Sequence, residues 1–260
     1  MQVICLHDKK TIEQFLRSNT GLHIYSLGDL DDFFWPYTTW YAITTNNAPK
    51  AIILVYTGLR LPTLLALSDQ LTFISDLLKS IIHILPCEFC AHLSPGLESA
   101  FQNDYELEPH GEHHKMALKN LCAVRSVDCS QVIRLSKSDL NDITQLYKDS
   151  YPGNWFDSRM LETDQCFGIR KDGELVSIAG VHVYSETYGV AALGNITTHP
   201  SWRRRGYGRL VTARLCQSLS EKVDCIGLNV KADNRSAISC YEKLGFESIA
   251  SFGEFMVRKK

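Results

Sequence analysis

The chain has 260 residues, of which 45% are hydrophobic and 22% are charged, and its formal net charge is −2. This length allows two ordinary domains, and this composition excludes a disordered or fibrous protein. A net charge so near zero argues against a general nucleic-acid binder, which needs positive charge to neutralise phosphates.

Hydropathy and cysteine content bear on the location of the protein. No stretch approaches the roughly 18 apolar residues of a membrane span, and the N-terminus lacks a basic segment followed by an apolar one. The nine cysteines follow no disulfide-framework spacing, which fits a reducing compartment. We therefore expect a cytoplasmic protein with no membrane or nucleic-acid partner.

The hydrophobic pattern predicts a similar order of elements in the two halves of the chain. In the first half it predicts helices over residues 11–30, 73–85 and 96–101, and strands over 40–44, 51–56, 62–66 and 88–93, with closing strands before Asn120. We interpret the chain as two copies of one unit, joined near residues 121–130.

In the second half, the first helix passes through Leu140, Ile143 and Leu146, with Ser136 or Ser138 as its cap. The turn at 171–173 predicts a β-hairpin. The remaining elements are strands over 131–135, 166–169, 175–184, 190–197 and 225–230, and helices over 206–221 and 235–244 with Gly245 as a C-terminal cap.

The most informative stretch lies between the strand 190–197 and the helix that follows it. It reads Asn195-Ile-Thr-Thr-His-Pro-Ser-Trp-Arg-Arg-Arg-Gly-Tyr-Gly-Arg209. Gly206 and Gly208 allow a tight turn in which successive backbone N–H groups converge at the helix N-terminus, where phosphate is favoured. The arginines add positive charge that suits a pyrophosphate. Taken alone, the same residues also fit a solvated surface turn.

Two motifs in this order resemble those of the GNAT superfamily of N-acetyltransferases. The signature Arg/Gln-x-x-Gly-x-Gly/Ala is present as Arg203-Arg-Arg-Gly206-Tyr-Gly208, and the segment from Asn229 to Phe246 is similar to the family's closing motif. The resemblance covers about residues 131–260. It implies acetyl-CoA as the donor, CoA as a product, and direct acetyl transfer to a primary amine of a small molecule or amino acid.

The resemblance also implies a fold class and a domain division. The fold would be α/β (α+β), with two GNAT-like lobes that each contain a mixed, mostly antiparallel central sheet flanked by helices. Residues 1–125 would form a degenerate N-terminal lobe, since residues 62–70 lead into their helix with Asp69 and no Gly-x-Gly. Residues 131–260 would form the catalytic domain. This arrangement is similar to the glycine N-acyltransferase-like branch.

The cofactor-binding residues are implied by the same resemblance. The end of the strand 190–197 would contact the pantetheine arm, residues 204–209 would hold the pyrophosphate, and Asn234 would contact the arm from the other side. The complete predicted set is Ile196, Thr197, Thr198, Arg203, Arg204, Arg205, Gly206, Tyr207, Gly208, Arg209, Asn229, Asn234, Ser236 and Tyr241.

Tyr241 matches the family's usual general acid, a hydroxyl that protonates the departing CoA thiolate. It also lies on the apolar face of its helix, where a tyrosine often serves only packing. For the base, many family members carry Glu or Asp where this chain has Gly194 and Asn195. A neutral Asn195 could hold a water that accepts the proton, with His182 as a relay, although a structural role for His182 is also open.

An acceptor pocket is expected where the family usually determines specificity. The residues predicted to line it are Tyr151, Asn154, Trp155, Phe156, His182 and Tyr184. For Trp155 and Phe156, packing over the core is an equal alternative. Cys87 and Cys90 have the gap of a zinc or redox motif but no second pair, so no metal is predicted.

Three other functions stay open at this point. A non-catalytic acyl-CoA sensor would keep the arginine and glycine turn but lose the base. An acyltransferase for longer acyl-CoA substrates would need a deeper channel past Tyr241. An enzyme with a protein acceptor would need an open groove.

Overall fold

The computed structural model describes residues 1–260 and divides them into two compact units. Unit 1 consists of residues 1–115, 230–233 and 248–260, and unit 2 consists of residues 116–229 and 234–247. The short segments 230–233 and 248–260 come late in the sequence but belong to the first unit. No helix is both long enough and apolar enough to cross a membrane.

Twelve strands and seven α-helices make up the regular structure. The strands are β1 (Gln2–Cys5), β2 (Thr38–Thr45), β3 (Ala48–Tyr56), β4 (Thr63–Ala66), β5 (Glu88–Leu93), β6 (Tyr105–Leu118), β7 (Ile133–Arg134), β8 (Phe167–Lys171), β9 (Glu174–Ser185), β10 (Val190–Thr198), β11 (Cys225–Lys231) and β12 (Phe246–Lys259). The helices are α1 (Lys9–Leu16), α2 (Ile24–Gly28), α3 (Leu71–Ile81), α4 (Leu121–Arg125), α5 (Leu140–Ser150), α6 (Tyr207–Leu219) and α7 (Arg235–Lys243).

Unit 1 is built on a sheet with the strand order β1-β2-β3-β4-β5-β12-β6. Neighbouring strands from β1 to β4 run antiparallel, β4 and β5 run parallel, and β5 pairs antiparallel with β12. The apolar side of α3 packs on this sheet and buries side chains such as Leu77, Leu78 and Phe89 completely. Burial of this apolar surface stabilises the unit.

Several ionisable side chains of unit 1 are also buried. Lys115 is 3% exposed, and its ammonium lies 4.8 Å from the ring centroid of Tyr25 and 5.4 Å from that of Phe252. Burial lowers the pKa of Lys115 to about 7. Burial likewise raises the pKa of Asp29 to about 8. Because burial disfavours the charged form of each group, both pKa values move toward the neutral form.

Unit 2 is built on a sheet with the strand order β11-β10-β9-β8-β7. β10 and β11 run parallel, and the other neighbours run antiparallel. α5 packs against β9 and β10, and α6 packs against β8, β9 and β10. The β8–β9 hairpin turns at Asp172 (φ 52°) and Gly173 (φ 85°), the left-handed pair that a two-residue hairpin requires.

The predicted fold class is confirmed, since the sheet is mixed and mostly antiparallel with helices packed against it. Most predicted elements are present, and β5 has the predicted limits. The helices predicted over 11–30 are α1 and α2, which are separated by a turn around Asn19. Asn19 Oδ1 accepts a hydrogen bond from the backbone N–H of Leu22 there, and such side-chain bonds compete with helical ones.

Some predicted elements differ in length, and others were not predicted. The strand predicted over 131–135 is reduced to β7, and the helix predicted over 73–85 ends as α3 at Ile81 before a short 3-10 turn. The closing strands before Asn120 are the single strand β6. β1, α4 and β12 were not predicted.

Candidate active site

The candidate site centres on a β-bulge in β10. Gly194 pairs with Gly180 and Thr197 pairs with Ile178, so Asn195 and Ile196 together face one residue of β9. Asn195 has a left-handed backbone (φ 54°), which Asn tolerates better than most residues. Such bulges are frequent beside active sites, where they re-aim a side chain.

β10 and β11 separate just before the bulge in β10. Their parallel pairing runs from Val190 and Cys225 to Leu193 and Leu228 and then ends, while β10 continues to Thr198. The predicted pantetheine contacts Ile196, Thr197 and Thr198 therefore lie on the part of β10 that has left its neighbour. Backbone groups on this edge of β10 that no longer pair with β11 can bind an extended ligand.

The turn between β10 and α6 has the backbone of an anion site. Arg204 (φ 62°) and Gly206 (φ 81°) are left-handed, and Gly206 is the N-cap of α6. A Cβ atom added to Gly206 would meet no atom within 4 Å, so the space beside this turn is open. The first N–H groups of α6 have no intrahelical partner, and the helix dipole favours negative charge at this end.

The predicted arginines have different surroundings. Arg203 donates hydrogen bonds to the backbone oxygens of Thr198 (3.1 Å) and Ser150 (3.4 Å), so it ties the turn to β10 and α5. The guanidinium of Arg205 lies 4.6 Å from the ring centroid of Trp202. Arg204 and Arg209 are exposed. The turn thus combines a phosphate-compatible backbone with nearby positive charge, and it fits a pyrophosphate.

α7 carries the second predicted motif. Asn234 caps it, with Oδ1 accepting hydrogen bonds from the Ala237 backbone N–H and the Ser236 hydroxyl, each 3.2 Å long. Tyr241 is 9% exposed, and its ring centroid lies 5.9 Å from that of Phe246. Tyr241 therefore packs at the periphery of the core and is almost completely buried.

His182 lies directly beside the bulge. The register passes from Ala192–Val183 to Leu193–Val181, which makes His182 the extra residue of a second bulge, in β9. A Cβ atom on Gly194 would overlap the His182 ring, so the imidazole lies against the β10 backbone. Gly194, which seemed from the sequence to be only a departure from the family pattern, makes room for this ring.

The predicted acceptor residues are only partly brought together. Asn154 braces its own loop, donating to Tyr151 O (2.6 Å) and accepting from the backbone N–H of Phe156 (2.8 Å). Phe156 packs inward, with its ring centroid 5.1 Å from that of Tyr147. Tyr151 and Trp155 are exposed by 43% and 42%.

Tyr184 is not brought to the bulge by the fold. It pairs with Ala191, toward the turn that joins β9 and β10. Its hydroxyl bonds to the Glu186 carboxylate, and burial together with this bond raises its pKa.

The structure adds residues that the sequence did not indicate. A small cavity beside the bulge is lined by Tyr147, Phe156, Met160, Leu161, Gln165, Cys166, Gly180, Val181 and Asn195. The Tyr147 hydroxyl donates a 2.9 Å hydrogen bond to the backbone oxygen of Asn195. Tyr147 follows Ile143 by one helical turn and so fits the pattern of a core residue, while Gln165 has no local pattern at all. No group of three His, Cys, Asp or Glu side chains is arranged to hold a metal ion.

Comparison with known proteins shows which family this region of the chain is similar to. Residues 136–246 match the model of the acetyltransferase (GNAT) family, so this part of the chain belongs to the GNAT superfamily. Over 81 residues the chain is 33% identical to the [ribosomal protein bS18]-alanine N-acetyltransferase of Escherichia coli K12. That match covers 31% of this chain and spans about half (53%) of the relative.

Solved structures extend the likeness to the whole chain. A Drosophila protein has a TM-score of 0.70 at 12% identity, covering 98% of this chain and 97% of its own. A tandem GNAT protein from the clavulanic acid biosynthesis pathway has a TM-score of 0.58 at 13% identity, covering 99% of this chain and 98% of its own. These likenesses confirm the GNAT-type fold predicted from the two motifs. The closer affinity to the glycine N-acyltransferase-like branch stays a prediction.

Proposed function

We propose that the protein is an N-acetyltransferase that transfers the acetyl group of acetyl-CoA directly to a primary amine of a small molecule or amino acid. One observation carries the proposal. The left-handed turn at Gly206, with open space beside it, begins α6, which is the next α-helix after the strand that bulges and leaves its neighbour. The family match of residues 136–246 supports the same function.

In this proposal the cofactor is held by residues of unit 2. Backbone groups of residues 196–198 face the pantetheine arm, and the amides and arginines of residues 203–209 hold the pyrophosphate. Asn229, Asn234, Ser236 and Tyr241 contribute from β11 and α7. Acetyl-CoA supplies an activated thioester, and these residues bind and orient it.

The proton steps are assigned to three side chains. Tyr241 is proposed as the acid that protonates the departing sulfur, since it matches the family's usual acid and the residue is only 9% exposed. Asn195 cannot take a proton itself and is proposed to orient the group that does. His182 is proposed as the relay, because its imidazole lies against the backbone at Gly194, next to Asn195.

The cysteines support direct transfer over an acyl-enzyme route. Burial raises the pKa of the Cys216 thiol, and burial also raises that of Cys240. Both sulfurs therefore favour the thiol form, which is a poor nucleophile. All nine cysteines are free in the structure, which suits the cytoplasmic location that we include in the proposal.

The first lobe is proposed to be a degenerate GNAT-like lobe over residues 1–125, with the catalytic domain over residues 131–260. Its segment between β4 and α3 is occupied by internal hydrogen bonds. Ser94 Oγ accepts from the Ser68 backbone N–H, and Asp69 accepts from the Asn19 amide. An acidic side chain and no left-handed glycine turn make this segment unsuited to a pyrophosphate.

A protein acceptor is the second candidate function, favoured by one observation. The matched Escherichia coli relative is named for acetylating the alanine of a ribosomal protein. The same turn at Gly206 would also serve an enzyme that uses a longer acyl-CoA, or a sensor that binds acyl-CoA without catalysis.

Calorimetric titration of the purified protein with acetyl-CoA, followed by a free-thiol release assay, tests the proposal. The acceptor panel contains amino acids, polyamines and peptides that begin with alanine. We expect binding and turnover on a small amine. Turnover only on peptides would favour the protein acceptor, and binding without turnover would favour the sensor. No binding of acetyl-CoA would overturn the proposal.

A further inference from the structure

The hydroxyl of Ser177 lies inside unit 2, against the end of β10 that carries the predicted pantetheine contacts. Ser177 is a completely buried residue of β9 and pairs directly with Thr198 on β10. Its Oγ lies 2.8 Å from Thr198 Oγ1 and 3.2 Å from the backbone oxygen of Thr197. One buried side chain therefore bonds to two consecutive residues of the strand end.

The direction of these two hydrogen bonds follows from the protons that the groups have. The backbone oxygen of Thr197 can only accept, so the single hydroxyl proton of Ser177 is donated to it. The Thr198 hydroxyl then donates to Ser177 Oγ, which keeps its lone pairs for this purpose. Both hydrogen bonds form at once, because each uses a proton of its own.

The Thr198 side chain also stands beside the phosphate turn. A Cβ atom added to Gly208 would lie 3.5 Å from Thr198 Oγ1, at ordinary van der Waals distance from the first turn of α6. The backbone oxygen of Thr198 accepts a hydrogen bond from Arg203 Nε (3.1 Å). Thr198 is thus tied to the turn by its backbone and to β9 by its side chain.

The side chain of Thr197 is held on the other face of the sheet, since successive strand residues point to opposite faces. Thr197 Oγ1 donates to Ser150 Oγ on α5 (3.1 Å), and that hydroxyl donates to Leu146 O (2.6 Å). The strand end is therefore hydrogen-bonded on both faces. Ser177 is the hydroxyl that bonds to both threonines.

We propose that Ser177 is a positioning residue for the cofactor. Its hydroxyl fixes Thr197 and Thr198 relative to the turn at Gly206, so that one acetyl-CoA molecule can contact both regions. The inference rests on the proposed function, in which residues 196–198 face the pantetheine arm and residues 203–209 hold the pyrophosphate. Ser177 is completely buried, so it acts through the two threonines.

A ligand that uses only one of the two regions does not depend on their relative position. The nucleotide half of CoA, 3′-phosphoadenosine 5′-diphosphate, has the pyrophosphate but no pantetheine arm, whereas acetyl-CoA has both. Loss of the Ser177 hydroxyl therefore weakens the binding of acetyl-CoA and leaves that of the nucleotide unchanged. A purely structural role would lower stability and leave the affinity of the folded protein for both ligands unchanged.

Calorimetry with acetyl-CoA and competition calorimetry with the nucleotide test the proposal in Ser177→Ala. Ser185→Ala is the control, because Ser185 is a 1% exposed residue at the other end of β9 whose Oγ accepts from the Tyr188 backbone N–H (3.1 Å). We expect Ser177→Ala to weaken acetyl-CoA binding roughly 10-fold and to keep the nucleotide affinity. Ser185→Ala should change neither. Unchanged acetyl-CoA affinity in Ser177→Ala, or an equal loss for the nucleotide, would overturn the proposal.

Thr198→Val provides a second variant at a less buried position, since valine has the shape of threonine without its hydroxyl. It should also weaken acetyl-CoA binding. If the two hydroxyls act as a pair, the double variant should bind acetyl-CoA as tightly as Ser177→Ala alone. Losses that add in the double variant would overturn the pairing of Ser177 with Thr198. A wild-type protein that does not bind acetyl-CoA would instead overturn the proposed function, and this inference with it.

Discussion

The hydroxyl of Tyr147 on α5 donates a buried 2.9 Å hydrogen bond to the backbone oxygen of Asn195 on β10. Asn195 is the left-handed residue of the bulge, and its carbonyl has no partner on β9 in the register of the two strands. The Tyr147 side chain thereby gives a hydrogen bond to the Asn195 carbonyl, which the bulge removes from the pairing of β9 with β10. The contact fixes the bulge against α5.

Replacing Tyr147 with Phe removes this hydrogen bond and keeps the ring packed on Phe156. A buried carbonyl without a partner should lower the free energy of unfolding by about 1–2 kcal/mol. If the bulge holds Asn195 in its catalytic position, turnover should fall as well. Tyr105→Phe is the control, because Tyr105 makes a comparable bond to Leu85 O (3.1 Å) in unit 1. Urea unfolding and the thiol assay would measure both effects, and equal turnover in the two variants would argue against a role for Tyr147 in the site.

Replacing Gly206 with Ala tests the phosphate turn. Gly206 and Gly173 are both left-handed, and a Cβ atom on either would meet no atom within 4 Å. Each alanine should therefore cost about 1–2 kcal/mol of backbone strain and no clash. Only Gly206→Ala should weaken acetyl-CoA binding in calorimetry, because its Cβ enters the open space beside the turn. If Gly173→Ala weakened binding equally, the effect would be one of stability alone.

Replacing Tyr241 with Phe tests the proposed acid. Turnover should fall roughly 10²-fold, because a positioned general acid contributes at least this much. The affinity for acetyl-CoA should stay unchanged, since the ring keeps its place beside Phe246. Single-turnover kinetics and calorimetry would separate the two quantities. A variant with wild-type turnover would show that Tyr241 serves packing only.

Replacing Lys115 with Met tests the buried ammonium of unit 1. Burial lowers the pKa of Lys115 from 10.5 to about 7, so above pH 7 the unfolded chain binds the proton and the folded one does not. The contribution of Lys115 to stability should therefore rise with pH between about 7 and 10.5, by on the order of 1 kcal/mol per pH unit. Lys115→Met should flatten this rise.

The measurement is best made by urea unfolding between pH 8.5 and 10. Burial raises the pKa of Asp29 to about 8, and its contribution is lost as the pH rises through that value. Above pH 8.5 it no longer opposes the effect of Lys115. Equal slopes in the wild type and the variant would show that Lys115 keeps its proton in the folded state.

The parts of the fold that depend on neighbouring residues could be predicted from the sequence. Asp172 and Gly173 are left-handed as the hairpin turn requires, and Gly245 (φ 86°) follows α7 as its predicted cap. The Gly206 turn likewise follows from adjacent residues. Local backbone preferences determine all three, so a short window of sequence contains the information.

The parts that depend on distant pairing could not be predicted. β12 pairs with β5 across 160 to 170 positions of the chain, from Gly253–Leu93 to Arg258–Glu88, and nothing near β12 specifies this partner. The cavity beside the bulge also depends on contacts between distant segments of the chain. Gln165 and Asn195 are 30 residues apart, and both line the cavity only because α5 and β10 meet beside them. The position of Asn195 near the candidate site could be anticipated from the family pattern, whereas the place of Gln165 in the cavity lining needs the structure.

The late position of β12 has a consequence for biosynthesis. Unit 1 contains residues 248–260, which a ribosome makes only after residues 116–247. Until then β5 has an unpaired edge on the side that β12 will occupy, and such an edge can pair with other chains. Since pairing between distant segments also slows folding, we expect the nascent first unit to be more prone to aggregation than the complete chain.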